Sequence, residues 1–254
     1  MKTKNLTKYC VLIAFISLFN NALVFSQKSN PKFITWSTSI TNVKTAEKIS
    51  FLIEYQNRRN DFLSHKLQSL ARLGVEYSFT KKITGTGGYA WFLTHISDFS
   101  FNEHRLWKQV THNQSYKRIV FNQRLRAEQR FLENKTRNQS GEFVLDGYNY
   151  NHRIRYRFMI ILPINKKSME NNTLFVSISD EPFFRIEKNY KGNLLERNRF
   201  LGTVGWRFNE KYTFQLSYMN HFIIKNTSFV FEKMHTIQPT ITYNWNRNTQ
   251  SELQ

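Results

Sequence analysis

Apolar and polar side chains alternate along most of the chain from about Phe33 onward. Between Arg72 and Phe79, for example, leucine, valine, tyrosine and phenylalanine occupy every second position, with arginine, glycine, glutamate and serine between them. Successive side chains of a β-strand point to opposite faces of a sheet, so this period of two predicts strands whose faces meet different surroundings. No convincing helical stripe of ten or more residues accompanies it. An all-β fold is therefore predicted.

The alternation divides into eleven candidate strands, many of them close to the nine to eleven residues with which a tilted strand crosses a bilayer. They are Trp36–Ile40, Ile49–Gln56, Arg72–Phe79, Gly85–Ile96, Arg105–His112, Arg118–Phe131, Asn151–Leu162, Thr173–Asp180, Arg199–Phe208, Tyr212–Tyr218 and Ile237–Trp245. An outer-membrane barrel with both termini in the periplasm needs an even number of strands. We therefore expect ten to twelve, with one of the first two segments misassigned or one long segment holding two strands.

The lengths of the connections between strands predict which end of the barrel faces the periplasm and which faces the outside of the cell. Thr80–Thr84, Ser115–Arg118 and Asn209–Lys211 are short, whereas Leu132–Tyr148 and Pro182–Arg197 are long and hydrophilic. Short turns on one side and long loops on the other are typical of a closed, antiparallel transmembrane β-barrel with short periplasmic turns and long extracellular loops.

Aromatic residues beside the short turns favour the same fold. They fall near one level, as expected of a ring at the membrane interface. The predicted interface aromatics are Tyr77, Phe79, Trp206, Phe208, Tyr212, Tyr243 and Trp245. The alternative is a soluble periplasmic β-barrel or sandwich that binds an apolar ligand. Pro239 argues against an unbroken last strand, because proline cannot donate to a ladder, and it predicts a bulge or a strand end there.

The first 26 residues have the features of an export signal. Lys2, Lys4 and Lys8 precede the apolar run Val11–Phe19, and small or short side chains stand before Gln27. We expect residues 1–26 to be a cleaved signal peptide and residues 27–254 to form one barrel domain. Cleavage would lower the formal net charge from +19 to +16 and would remove the chain's single cysteine.

At this point the sequence resembles a family of Gram-negative outer-membrane β-barrel proteins, the domain of unknown function 2490 family. The resemblance rests on five stretches that together cover most of the predicted mature chain. They are Leu70–Phe92, His104–Phe131, His152–Ile164, Ile178–Phe184 and Asn198–Asn220. Its most specific parts are Arg-Leu-Arg-x-Glu-Gln-Arg-Phe, Asp-Glu-Pro-Phe-Phe and Asn-Arg-Phe. The resemblance implies an outer-membrane location and a barrel architecture, and it implies no activity.

The densest group of charges lies on two successive candidate strands. It comprises Arg124, Arg126, Glu128, Arg130, Arg153, Arg155 and Arg157. One acid cannot balance six arginines, so we expect carboxylates such as Glu54, Glu76 and Glu181 to complete a charge ladder inside the barrel. This lumen charge cluster has two readings. The ion pairs stiffen a narrow lumen, or they form a constriction that attracts acidic ligands.

Two other functions are less well supported. His95 and Ser97 have a His-x-Ser spacing that resembles the motif of outer-membrane lipid A deacylases, but no orienting acid is evident. Nucleic-acid binding would need aromatic rings beside the arginines, and the sequence places most rings on the opposite strand faces. The seven histidines lack metal-ligand spacing, and no cofactor motif is present.

These observations predict an outer-membrane barrel with a structural role or a path for small solutes, and an arginine-rich lumen. A lipid-acting hydrolase using His95 and Ser97 is the alternative from another class, although enzyme activity is not favoured. The partners expected in that setting are outer-membrane lipid and lipopolysaccharide, together with the barrel-assembly machinery during insertion, and no nucleic acid. Nothing in the sequence fixes the oligomeric state.

Overall fold

The computed structural model describes residues 32–61, 63–186, 192–224 and 231–246. Within these ranges eleven strands pair in chain order into one closed barrel. The strands are β1 Lys32–Lys44, β2 Ile49–Asn60, β3 His65–Ser78, β4 Ile83–His95, β5 Ser100–Tyr116, β6 Ile119–Arg137, β7 Phe143–Pro163, β8 Thr173–Ile186, β9 Leu195–Arg207, β10 Tyr212–Ile224 and β11 Phe231–Asn246. The predicted closed, all-β architecture is confirmed. The predicted signal peptide lies outside the described residues.

The barrel closes through its first and last strands. Ten neighbouring pairs are antiparallel, whereas β1 and β11 run parallel. Each hairpin reverses the direction of the chain, so an odd number of strands brings the first and last together in the same direction. The expectation of an even number is therefore wrong, and both of the first two candidate segments are strands. No helix among the described residues is long and apolar enough to cross a membrane.

The two ends of the barrel differ less than the sequence suggested. We call the end with connections 45–48, 79–82, 117–118, 164–172 and 208–211 the lower end, and the opposite end the upper end. At the upper end, the predicted loop Leu132–Tyr148 is mostly strand, because β6 continues to Arg137 and β7 begins at Phe143. This hairpin extension contacts the β4–β5 turn, where the Phe99 and Phe143 rings are stacked with their centroids 4.3 Å apart.

Alternate residues of each strand face the lumen and the outside. On β10, Ser217 and Met219 are 5% and 1% exposed, whereas Leu216 and Tyr218 are 48% and 47% exposed. Most other strands repeat the pattern, with large apolar side chains outside and mostly polar or charged side chains inside. On β1 the arrangement is reversed, with Ile34 and Trp36 inside and Ser37 and Ser39 outside. The period of two seen in the sequence thus corresponds to two surfaces of one wall.

Pro239 lies within β11 with no bulge, contrary to the prediction. It pairs with Leu216 of β10, and on its other side the pairs with β1 run from Thr35–Ile237 to Thr38–Thr240. The register is the same before and after this gap. The missing donor of proline therefore interrupts the ladder at the parallel seam without shifting it.

The predicted interface aromatics gather around the lower end, because the strands that carry them all begin or end there. The Tyr77 and Phe79 rings meet edge to face with their centroids 5.2 Å apart, and Tyr212 lies 5.0 Å from Tyr243. The Trp206 and Phe208 rings lie 6.3 Å apart. Most of these side chains are exposed on the outside of the barrel.

Two inward glycines let aromatic rings lie against the wall. A Cβ added at Gly74 would stand 2.8 Å from Cζ2 of Trp107, and one at Gly205 would stand 2.2 Å from Cζ of Phe175. Both distances are shorter than any normal contact, so these rings occupy the space that a side chain would need. Trp107 also packs with Leu70, Ala90 and Phe92 in the main apolar cluster of the lumen.

Candidate functional site: the charged lumen

The lumen charge cluster predicted from the sequence lies on the inward faces of β6 and β7. Pairing across these strands sets Arg126 opposite Arg155 and Arg124 opposite Arg157. Like charges directly opposite each other destabilise a sheet. The arginines are therefore held in place by acceptors on several strands, which are carboxylates for Arg124 and Arg155 and side-chain amides for Arg126 and Arg157.

Glu128 is the acid at the centre of the cluster and is 2% exposed. Its Oε2 accepts hydrogen bonds from Nε and Nη2 of Arg153, at 3.0 and 2.5 Å, and its Oε1 accepts one from Nη1 of Arg155 at 2.8 Å. Nη1 of Arg105 lies 3.7 Å from the same Oε2. One buried carboxylate thus lies within ion-pair distance of three guanidinium groups.

The other carboxylates each bridge two arginines or pair with one. Glu181 accepts from Arg124 at 2.6 Å and from Arg155 at 2.8 Å. Glu103 accepts from both Arg105 and Arg130. Further pairs join Arg72 to Glu54, Arg153 to Glu196 and Arg197 to Glu196.

Glu54 and Glu181 thus contact arginines, as the charge imbalance in the sequence suggested. Glu76 does not: it accepts a hydrogen bond from Thr86 at 3.3 Å and lines the lower mouth.

Five lumen arginines were not included in the sequence-based cluster: Arg58, Arg72, Arg105, Arg197 and Arg199. The alternation placed Arg72 and Arg199 on polar strand faces, but nothing local showed that these faces meet β6 and β7 across the barrel. Arg58 lies two residues beyond the predicted end of β2, and Arg197 lies in a predicted loop. Both were missed because the strands are longer than the alternation indicated.

Aromatic rings also line the lumen, which corrects the expectation that rings and arginines lie on opposite faces. The guanidinium of Arg58 lies 3.6 Å from the Trp36 ring centroid, and that of Arg105 lies 3.6 Å from Phe92. Phe183 is 1% exposed. Four guanidiniums surround its ring within 6 Å: Arg153, Arg155, Arg197 and Arg199. A cation over a ring face gains electrostatic stabilisation that grows when both are desolvated.

The central lumen carries an excess of positive charge. Eleven arginines line it: Arg58, Arg72, Arg105, Arg124, Arg126, Arg130, Arg153, Arg155, Arg157, Arg197 and Arg199. The acids beside them are Glu54, Glu103, Glu128, Glu181 and Glu196. Within the part of the chain that the structure describes, the formal excess is therefore six positive charges.

Four of the eleven have no carboxylate within ion-pair distance among the described residues. Arg126 is held by Gln109, at 2.6 and 2.9 Å, and Arg157 by Asn122 at 2.7 Å. The other two, Arg58 and Arg199, lie over Trp36.

The described residues line two cavities that bear on function. The larger, about 820 Å³, lies at the lower mouth beside Glu76, Arg207 and Trp245. The second, about 410 Å³, lies in the central lumen and is lined by the eleven arginines. Both fall within the size range of small-molecule sites.

The weakly supported catalytic pair lies elsewhere. Nδ1 of His95 hydrogen-bonds to Oγ of Ser100 at 2.8 Å, and these two residues pair across β4 and β5. Ser97, the predicted partner of His95, lies in the turn between these strands. Neither His95 nor Ser97 lines the central cavity. The described residues contain no group of three or more His, Cys, Asp or Glu side chains placed to hold a metal ion.

The strand topology and the lumen residues place the protein in one structural class. It is a closed, largely antiparallel β-barrel with a mostly apolar outer surface and a charged lumen. Comparison with known families adds a particular assignment. Residues 33–231 match the model of the family described as "Protein of unknown function (DUF2490)", and the chain belongs to that family.

No curated protein matches the chain. Among solved structures, the barrel is similar to that of the NanC porin in a rhombohedral crystal form, with 8% sequence identity and a TM-score of 0.44. The match covers 77% of this chain and 88% of that chain.

Proposed function

We propose that the chain is an integral outer-membrane β-barrel whose lumen is an anion-selective path for small acidic solutes. The observation that carries the proposal is the excess of six positive charges in the central lumen, where four arginines lack carboxylate partners. A purely structural filling would be most stable with balanced charges, because an uncompensated buried charge is costly.

Membrane insertion is supported by the outer surface. Large apolar side chains are exposed on all eleven strands, including Leu73 at 57%, Val204 at 55% and Leu125 at 53%. Soluble proteins rarely expose continuous apolar surface of this extent. A soluble barrel binding an apolar ligand would need the opposite arrangement, with the apolar faces inside.

The same surface has polar positions that lipid would disfavour unless they are paired. Gln123 accepts a hydrogen bond from the Tyr156 hydroxyl at 2.9 Å, and Asp180 accepts one from Asn198 at 2.7 Å. These bonds pair Gln123 and Asp180, two of the outward polar side chains, within the wall itself. In this setting the partners are outer-membrane lipid and lipopolysaccharide, with the assembly machinery acting during insertion.

Current through single barrels in planar bilayers tests the proposal. Under a potassium chloride gradient, we expect conductance with a reversal potential of the sign set by chloride. Arg126→Gln should shift that potential toward zero, because it removes an uncompensated positive charge from the lumen. Arg59→Gln, which changes an arginine bonded to Asn57 and Leu63 outside the central cavity, should not. Absence of conductance, or cation selectivity, would contradict the proposal.

A further inference from the structure

Two of the arginines without carboxylate partners share one aromatic ring. Trp36 and Arg58 face each other across β1 and β2, and the guanidinium of Arg58 lies 3.6 Å from the Trp36 ring centroid. The guanidinium of Arg199, on β9, lies 4.9 Å from the same centroid. Trp36 is held in turn by a hydrogen bond from its Nε1 to Gln56 at 2.7 Å. The two cations are thus gathered around one fixed ring.

Arg199 is positioned without being neutralised. Its nearest acid in the sheet is Glu181, directly opposite on β8. The two oxygens of that carboxylate are engaged by Arg124 and Arg155, at 2.6 and 2.8 Å. Arg199 instead lies between two rings, 4.9 Å from Trp36 and 4.7 Å from Phe183.

Hydrogen-bond donors remain unused around this pair. The Nε of Arg58 and the Nε of Arg199 are both buried without an acceptor among the described residues. The terminal nitrogens of Arg58 donate to neutral amide oxygens, Nη2 to Gln56 at 2.8 Å and Nη1 to Gln68. Arg199 is 9% exposed, and no described side chain accepts from it. His221, directly opposite Arg199 on β10, also has a buried Nε2 without a partner. Buried polar groups of a native protein are usually satisfied, so donors left together indicate an acceptor that comes from outside the chain.

We propose that Arg58 and Arg199 form an oxyanion-binding site within the central cavity. Guanidinium groups donate paired hydrogen bonds to the oxygens of carboxylates and phosphates, and low local polarity strengthens these bonds. The ligand is a small solute with a phosphate or carboxylate group, small enough for a cavity of about 410 Å³. Its oxyanion supplies the negative charge that both arginines lack among the described residues, and an acceptor for their unpaired Nε groups. This proposal deepens the proposed path by giving it a binding step.

Titration calorimetry on the full barrel purified in detergent tests the site at fixed ionic strength, with inorganic phosphate and acetate as separate ligands and sodium chloride as the reference. Arg58→Gln and Arg199→Gln should each weaken binding by about 10- to 100-fold, as expected for the loss of charged hydrogen bonds. Arg59→Gln is the matched control. It removes the same charge from the next residue of β2, whose side chain does not line the cavity, and should change binding less than about twofold.

Arg199→Gln leaves no carboxylate without a partner, so we expect this variant to fold. Heat-modifiable migration in detergent gels checks that it does. Arg199→Lys serves as a second variant, because it keeps the charge and loses the planar fork, and should bind more weakly than the wild type. Binding of phosphate alone, or of acetate alone, would identify which oxyanion the site takes.

No binding of either ligand, or equal loss in Arg59→Gln and Arg199→Gln, would overturn the site. The reversal potential separates this failure from that of the path. If the barrel is anion-selective but binds neither phosphate nor acetate, only the proposed oxyanion site is refuted. If it binds one of them but does not conduct, only the proposed anion-selective path is refuted.

Discussion

Replacement of Glu128 by glutamine tests how the barrel tolerates its crowded arginines. The glutamate accepts three hydrogen bonds of 3.0 Å or less from Arg153 and Arg155 and lies 3.7 Å from Arg105. Glutamine removes the negative charge and replaces one acceptor oxygen with a donor that faces other donors. Arg153 and Arg155 would each keep one other acid, Glu196 and Glu181 respectively.

Loss of one partner from a buried ion pair costs roughly 3–5 kcal/mol. Arg105 likewise keeps Glu103. Because all three arginines keep another carboxylate, we expect Glu128→Gln to lower the free energy of unfolding by about 3 kcal/mol, at the low end of that range. Urea unfolding of the barrel in lipid vesicles, followed by tryptophan fluorescence, measures this change from the shift in midpoint at constant slope.

Glu76→Gln is the matched control, since Glu76 lies in the same lumen without an arginine partner among the described residues. It should change the free energy of unfolding by less than about 1 kcal/mol, because the amide oxygen of glutamine can still accept the hydrogen bond from Thr86. If Glu128→Gln were no more destabilising than Glu76→Gln, the carboxylate network would not be what holds the arginines together.

Two further substitutions test the wall. Gly205→Ala would place a Cβ 2.2 Å from Phe175, so it should destabilise the barrel by about 1–3 kcal/mol, whereas Gly202→Ala, with no atom within 4 Å of its Cβ, should be neutral in the same urea titration. Leu73→Arg should cost about 2–4 kcal/mol in vesicles if mid-strand outward residues face lipid. The same change at Leu63, in the β2–β3 turn, should cost much less, and equal effects would refute the membrane placement.

The sequence predicted the strands well because, on most strands, each face of the barrel wall carries one kind of side chain. On β10 the outward Leu216 and Tyr218 alternate with the inward Gln215 and Ser217, so local pattern and tertiary environment agree there. Agreement failed at the strand ends. Hydrophilic residues from Leu132 to Tyr148 read as a loop, yet they form a hairpin extension, because polar side chains are compatible with strands that project into water.

The site was only partly predictable. Arg126 and Glu128 share a strand face, and local sequence is enough to show that. The contacts that decide their roles join residues far apart in the chain, as between Arg153 and Glu196 or Arg199 and Trp36. These depend on how a closed barrel brings opposite walls together. The parallel seam was missed for the same reason, since it follows from closure and not from any single strand.

Which face of the wall meets lipid is measured most directly by spin labels at successive positions of β10. Single cysteines at 215, 216, 217 and 218 would carry nitroxides in vesicle-embedded barrel, with Cys10, the chain's only cysteine, absent or replaced. Collisions with lipid-soluble oxygen should dominate at 216 and 218, and collisions with a water-soluble nickel chelate at 215 and 217. Uniform access of the chelate to all four labels, or the inverse alternation, would contradict a lipid-facing apolar surface around a wet, arginine-lined lumen.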